Sequence, residues 1–120
     1  MNKLLIIAHA PLASALRICA LHVFPDLTHD LAAVDVSANL SSEASLMQAL
    51  EAMSALDPAN TCDVLVLTDV FGATPCNVAQ KLVNSPGRKL IAGVNLPMLL
   101  RAATYRYETL EAMMTKALSG

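Results

Sequence analysis

The chain has 120 residues, of which 55% are hydrophobic, 15% are charged and only 3% are aromatic. A chain of this length fits one domain and can bury a core without a disulfide or a metal ion. Its formal net charge is −2 and it has no basic run, which excludes the usual electrostatic surface for nucleic acids. The apolar stretches have the length of strands, well short of the roughly 18 residues that a membrane-spanning helix requires.

Apolar segments of strand length alternate with segments that have helical spacing. The predicted strands cover residues 3–8, 31–36, 64–68 and 89–94, and the predicted helices cover about 11–22, 42–56, 75–84, 97–103 and 108–118. The second strand is short, and we expect it at an edge of the sheet. The other strands are apolar throughout, which is typical of strands covered on both faces. The order β-α-β-α-β-α-β-α-α therefore predicts a doubly wound α/β fold, with a mainly parallel four-stranded sheet and helices on both faces.

The second helix has a clear apolar pattern that predicts its buried face. The residues at these positions are Leu46, Met47, Leu50, Met53 and Leu56. The three cysteines are odd in number and lack CxxC spacing, which predicts reduced thiols that pack as small hydrophobes in a cytoplasmic protein. They are Cys19, Cys62 and Cys76. The charged fraction lies below the usual quarter of residues, so we expect another subunit to cover an apolar face.

Polar residues stand at the points where three of the predicted strands end. His9 follows the first strand, Asp69 the third and Asn95 the fourth. In an open parallel sheet, ligands bind in the crevice at the carboxyl ends of the strands. A carboxylate can hold one imidazole nitrogen and leave the other free to react. The sequence therefore predicts His9 and Asp69 as a catalytic pair, with a purely structural histidine and a loop-capping aspartate as the alternative interpretation.

The turn after Asp69 opens the third helix. Gly72 and Ala73 precede Thr74, which we predict as the N-cap, with Pro75 at the first helical position. The N-terminus of a helix offers unpaired N–H groups and about half a positive charge, which suits a phosphoryl group. A neutral imidazole beside such a turn can attack phosphorus, and this chemistry requires neither a metal ion nor a cofactor.

Three segments together resemble the mannose-family IIA component (EIIA-Man type) of the bacterial phosphoenolpyruvate-dependent sugar phosphotransferase system. The segments are Ile6-Ile-Ala-His-Ala10, Leu67-Thr-Asp-Val-Phe-Gly-Ala-Thr-Pro-Cys-Asn77 and Ile91-Ala-Gly-Val-Asn-Leu-Pro-Met-Leu99. The resemblance covers almost the whole chain in order and spacing. It implies one mannose-type domain over residues 1–120 that lacks the family's C-terminal edge strand. Family members form homodimers, so the resemblance also implies a homodimer.

The resemblance implies that the chain is a phosphocarrier with a phosphohistidine intermediate. His9 would accept a phosphoryl group from phospho-HPr and pass it to a IIB component, and Asp69 would orient the imidazole. Thr74, which stands where Ser is common, would hold the phosphoryl group together with Gly72 and Ala73. Ala73 replaces a glycine of the family pattern and narrows this turn. The membrane would be reached only indirectly, through the IIC/IID permease that takes up the sugar.

Apolar residues beside His9 predict a docking surface for these partners. Phe71, Pro11 and Leu12 would surround the imidazole, with Asn95 close by. An alternative function is a regulatory phosphohistidine sensor, which binds partners according to its phosphorylation state without a sugar permease. A phosphoryl group adds roughly 1.5 to 2 negative charges, enough to switch an apolar surface. A receiver-like domain phosphorylated on Asp69 is a weaker alternative, because no acidic pair ends the first strand.

Overall fold

A computed structural model of the chain describes residues 1–119, which form a four-stranded sheet flanked by helices. The strands are β1 (Lys3–His9), β2 (Leu31–Val36), β3 (Val64–Thr68) and β4 (Arg88–Ala92). The helices are α1 (Leu12–Val23), α2 (Ser42–Leu56), α3 (Thr74–Leu82), α4 (Leu96–Thr104) and α5 (Leu110–Leu118), with a 3-10 helix at Pro25–His29.

The strands are parallel and lie in the order β2-β1-β3-β4. The chain moves outward from β1 to β2, returns to place β3 on the other side of β1, and then continues to β4. The winding direction thus reverses between β1 and β3, and such a switch point leaves a crevice at the carboxyl ends of the strands. This topology confirms the predicted doubly wound α/β fold and the edge position of β2.

The core has two layers, because successive side chains of a strand point to opposite faces of the sheet. Leu4 and Ile6 of β1 pack with α1, α4 and α5, whereas Leu5 and Ile7 pack with α2 and α3. All four side chains are completely buried. Burial of each contributes about 1.5–3 kcal/mol, so the central strand is held firmly from both sides.

Two strand ends differ from the prediction at the edge where polar residues gather. His9 is the last residue of β1 rather than the residue after it, because it still pairs with Val36 of β2. The strand β4 ends at Ala92 instead of residue 94, since Gly93 adopts a φ of 84° and turns the chain away from the sheet. The N–H of Gly93 then donates to the carbonyl of Asp69 at 2.9 Å, which ties this turn to β3.

The helix starts are set by capping side chains in most cases. The predicted cap Asn95 is confirmed, because its side chain accepts a hydrogen bond from the N–H of Met98 at 2.9 Å. The prediction of Thr74 as a cap is wrong by one residue. The carbonyl of Ala73 already accepts the first helical bond, from the N–H of Asn77 at 2.9 Å. Ala73 is therefore the N-cap of α3, and Thr74 is its first residue.

The buried face of α2 agrees with the predicted one only in part. Ser45 and Ala49 are completely buried against the sheet, whereas Met47 and Leu50 are 58% and 46% exposed. Small residues let the helix approach the strands closely at these two positions. The other three predicted residues do pack into the core beside the sheet, as predicted: Leu46, Met53 and Leu56. Cys19 of α1 is also exposed, contrary to the predicted packing of the cysteines.

A buried ion pair joins the loop after α2 to the start of β4, at the amino ends of the strands. Arg88 Nη2 lies 3.2 Å from Asp57 Oδ2, and Arg88 also donates to Asn60 Oδ1 at 2.8 Å. Burial alone would raise the pKa of Asp57. The N–H groups of Thr61 and Cys62, together with Arg88, bind the charged form and lower this pKa overall.

Candidate functional site

His9 and Asp69 meet at the switch point of the sheet, although they are sixty positions apart in the sequence. The main-chain N–H of His9 donates to Asp69 Oδ2 at 3.0 Å, and the ring Nδ1 lies 2.8 Å from the same oxygen. The other carboxylate oxygen accepts a hydrogen bond from the N–H of Val70 at 2.9 Å. The imidazole is 52% exposed, while the Asp69 side chain is only 10% exposed. One carboxylate thus fixes both the backbone and the ring of the histidine.

The hydrogen bonds around Asp69 decide which nitrogen of His9 can react. Partial burial alone would raise the pKa of Asp69, but the pKa is lowered overall because His9 and the N–H of Val70 stabilise the charged form. An ionised carboxylate only accepts hydrogen bonds, so Nδ1 must carry the proton. The lone pair of the neutral ring then lies on Nε2, and the ring is arranged as a nucleophile.

A cavity of about 300 Å³ borders the imidazole. The residues that line it are His9, Val36, Ser37, Ala38, Leu40, Ser42 and Thr74. This lining has three hydroxyl groups and no lysine, arginine or carboxylate. Ser42 is the first residue of α2 and Thr74 is the first residue of α3, so the N-termini of two helices reach the cavity. An anion bound here would be surrounded by neutral donors.

The sequence analysis identified Thr74 but missed Ser37 and Ser42. In the loop between β2 and α2, Ser41 caps the helix by accepting a hydrogen bond from the N–H of Ala44 at 3.1 Å. The signal that could have found the two serines is their position after β2. In a parallel sheet, the loop after each strand reaches the same edge as His9.

The turn before α3 shapes the approach to Thr74. Gly72 has a φ of 85°, and a Cβ at this position would meet no atom within 4 Å. The residue must be glycine because of its backbone conformation, not because of a close neighbour. Ala73 N donates to the Val70 carbonyl at 3.3 Å and closes the turn. Among these candidates, only Thr74 lines the cavity, and Gly72 and Ala73 set the direction from which α3 arrives.

The predicted docking residues are all at the surface. Phe71 is 77% exposed and Leu12 is 38% exposed, and Pro11 is also exposed. Val70, with 56% exposure, extends this apolar group. The side chain of Asn95 is used to cap α4, as described above, which gives that residue a structural role.

The described residues 1–119 contain no group of three histidine, cysteine or acidic side chains placed to hold a metal ion. None of their helices is both long enough and apolar enough to cross a membrane. A larger groove of about 640 Å³ runs along the free edge of β2, but neither His9 nor Asp69 lines it. The His9 imidazole therefore belongs to the smaller cavity.

Comparison with known proteins agrees with this geometry. The family model EIIA-man, described as "PTS system fructose IIA component", matches residues 3–118. The PTS system sorbose-specific EIIA component of Lacticaseibacillus casei is 40% identical over 52 residues, which are 42% of this chain and only 38% of that protein.

Solved structures of similar proteins match nearly the whole chain. The phosphotransferase system component EIIA from Streptococcus agalactiae has a TM-score of 0.80 and 27% identity, covering 99% of this chain and 91% of that one. The mannose/sorbose specific IIA subunit from Enterococcus faecalis has a TM-score of 0.79 and 28% identity, covering 98% and 90%. With its family match over residues 3–118, the chain belongs to the EIIA-man family, the mannose-family IIA components of the phosphotransferase system.

Proposed function

We propose that this chain is a phosphocarrier of the phosphoenolpyruvate-dependent sugar phosphotransferase system, in which His9 receives a phosphoryl group from phospho-HPr and passes it to a IIB component. The observation that carries the proposal is the double contact of Asp69 Oδ2 with the main chain and the Nδ1 of His9. This contact fixes the ring and occupies Nδ1, which leaves Nε2 as the nitrogen that can react. The family membership of the chain supports the same function.

The transfer is a displacement at phosphorus. The lone pair on Nε2 of His9 attacks the phosphorus atom, a P–N bond forms, and the bond between phosphorus and the donor atom of HPr breaks with its electron pair leaving on the donor. The ring becomes positively charged, and Asp69, which holds the Nδ1 proton, stabilises that charge. The reverse sequence delivers the group to IIB. The protein supplies position and charge stabilisation, which is most of what phosphoryl transfer requires.

The start of α3 supports one side of the transferred group. The N–H of Thr74 and that of Cys76 lie in the first turn, where helical N–H groups lack a partner within the helix, and Pro75 has none to offer. The hydroxyl of Thr74 adds another donor beside His9. Gly72 and Ala73 hold this turn in place, so that its partial positive charge points to the phosphoryl group.

Partners approach over the exposed imidazole. Phe71, Pro11 and Leu12 form an apolar surface that phospho-HPr and IIB use in turn, since each must cover His9 during transfer. The protein acts in the cytoplasm as a homodimer and meets the membrane only through the IIC/IID permease. The low content of charged residues and the exposed Met47 and Leu50 on α2 support association between subunits.

The test is phosphorylation with phosphoenolpyruvate, Enzyme I and HPr. Wild type should gain acid-labile phosphate, and His9→Ala should gain none. The exposed histidines His22 and His29 give matched controls, and their alanine variants should be labelled like wild type. Label on His9→Ala, or no label on wild type, would contradict the proposal. Labelled wild type should then pass its phosphate to a mannose-family IIB component, and retention of the label would favour the regulatory sensor instead.

A further inference from the structure

The cavity beside His9 receives two helices rather than one. The helices α2 and α3 pack against each other on the same face of the sheet, and both begin at its carboxyl edge. Their first residues, Ser42 and Thr74, line the cavity together with the imidazole. Each helix start carries about half a positive charge and unpaired N–H groups. The two positive partial charges together offset part of the negative charge of one phosphoryl group.

The hydroxyl groups on the α2 side are free to donate. Within residues 1–119, no hydrogen-bond partner is found for the Ser42 hydroxyl, although the adjacent Ser41 hydroxyl is engaged with the N–H of Ala44. The Ser37 oxygen accepts a bond from the N–H of Asn39 at 3.2 Å, and this contact leaves its proton unused. Both serines therefore offer a proton to a group that enters the cavity.

We propose that Ser42, assisted by Ser37, forms the second half of the phosphoryl-binding site, and that its hydroxyl donates to an oxygen of the phosphoryl group on His9 Nε2. This inference rests on the proposed phosphocarrier function and adds the loop between β2 and α2 to its site. The phosphoryl group is then held between the first turns of two helices, with Thr74 on one and Ser42 on the other.

The charge of the phosphoryl group, and the lack of cationic side chains in the cavity lining, explain why a second set of donors is needed. A phosphoryl group has three oxygens and a charge of about −1.5 to −2. No lysine or arginine lines the cavity, so its lining offers only neutral donors to these oxygens. The first turn of α3 contains Pro75, which removes one N–H from that side. The hydroxyl of Ser42 on α2 and that of Ser37 in the preceding loop make up this loss without adding a full positive charge.

The measurement is the equilibrium constant for phosphoryl transfer between phospho-HPr and the chain. Ser42→Ala should lower this constant by about tenfold, the expected effect of one hydrogen bond to a charged group. Ser37→Ala should lower it by a smaller factor. Ser42→Thr keeps the hydroxyl and should restore the value of wild type. After removal of the donor, the lifetime of phospho-His9 should shorten most in Ser42→Ala and less in Ser37→Ala, and it should keep the wild-type value in Ser42→Thr.

Ser54→Ala is the matched control, because Ser54 is an exposed serine on the same helix that does not line the cavity. It should leave the transfer equilibrium unchanged. The inference is wrong if Ser42→Ala stays within twofold of wild type, or if Ser54→Ala lowers the equilibrium as strongly as Ser42→Ala does.

A chemical donor separates this inference from the function on which it rests. Phosphoramidate should label His9 without HPr, and the lifetimes of the phosphorylated variants can then be compared directly. If phosphoramidate labels wild type and HPr does not, the proposed partner is wrong and the lifetimes still decide the role of Ser42. If neither donor labels wild type, the phosphocarrier function fails, and the role of Ser42 fails with it.

Discussion

Replacement of Asp69 by Asn separates the charge of this residue from its shape. In the wild type, Oδ2 accepts from both the N–H and the Nδ1 of His9, and Oδ1 accepts from the N–H of Val70. An amide has only one acceptor oxygen. If its NH₂ group faces His9, that group meets the main-chain N–H donor to donor, and it donates to Nδ1. The ring proton must then lie on Nε2, and a protonated Nε2 cannot attack phosphorus. If the oxygen faces His9, the NH₂ group and the N–H of Val70 face each other as two donors with no acceptor between them.

The size of the effect follows from the hydrogen bond that is lost. A bond to a charged group contributes about 1.5–3 kcal/mol, and each 1.36 kcal/mol changes a rate by tenfold. We therefore expect Asp69→Asn to slow phosphorylation of His9 by roughly 10- to 150-fold. The assay is the initial rate of labelling at fixed phospho-HPr, with folding checked by circular dichroism and thermal unfolding.

Asp63 provides the control, since it is an exposed carboxylate just before the other end of β3. Asp63→Asn should be labelled at the rate of wild type. If Asp69→Asn is phosphorylated within threefold of wild type, the carboxylate does not select the reactive nitrogen, and the argument from the pair is refuted.

Two further predictions concern the surface and the buried ion pair. Phe71→Asp should slow transfer from phospho-HPr at least tenfold with no change in melting temperature, since Phe71 is 77% exposed. Val23→Asp, a change at an exposed residue at the far end of α1, should accept the phosphoryl group at the rate of wild type. Equal rates for the two variants would remove Phe71 from the interface. Asp57→Asn should cost about 3 kcal/mol of unfolding free energy at pH 7, because it leaves Arg88 buried without its counter-ion. The pKa of Asp57 is lowered in the folded state, so its contribution is complete above the unfolded value of about 3.9 and is lost as the pH falls through the folded pKa. The gap between wild type and Asp57→Asn in urea unfolding should therefore narrow below pH 4, and a constant gap would contradict the assignment.

The sheet and the central pair were predictable because both follow from simple rules. Strands buried on two faces read as continuous apolar runs, and this pattern indicated a parallel sheet with helices on each side. The carboxyl ends of such strands share one edge, and this was sufficient to bring His9 and Asp69 together. Neither inference required knowledge of individual side-chain contacts.

The remaining details depend on packing that apolar spacing does not encode. Met47 and Leu50 fit the helical pattern of a buried face, yet Ser45 and Ala49 take the positions against the sheet, because small side chains allow a closer approach. The same limit applies to the cavity. Ser42 lines the cavity because of the way α2 packs over the sheet, and the sequence pattern does not specify that packing.

The separation of sixty positions between His9 and Asp69 also sets an order of events during protein synthesis. The ribosome releases the histidine early, and β2 and α2 must follow before the aspartate emerges. Until β3 aligns with β1, the imidazole of the nascent chain has no carboxylate to fix its proton. Under the proposed function, the chain therefore becomes able to accept a phosphoryl group only when β3 has joined β1, and incomplete chains cannot act as carriers.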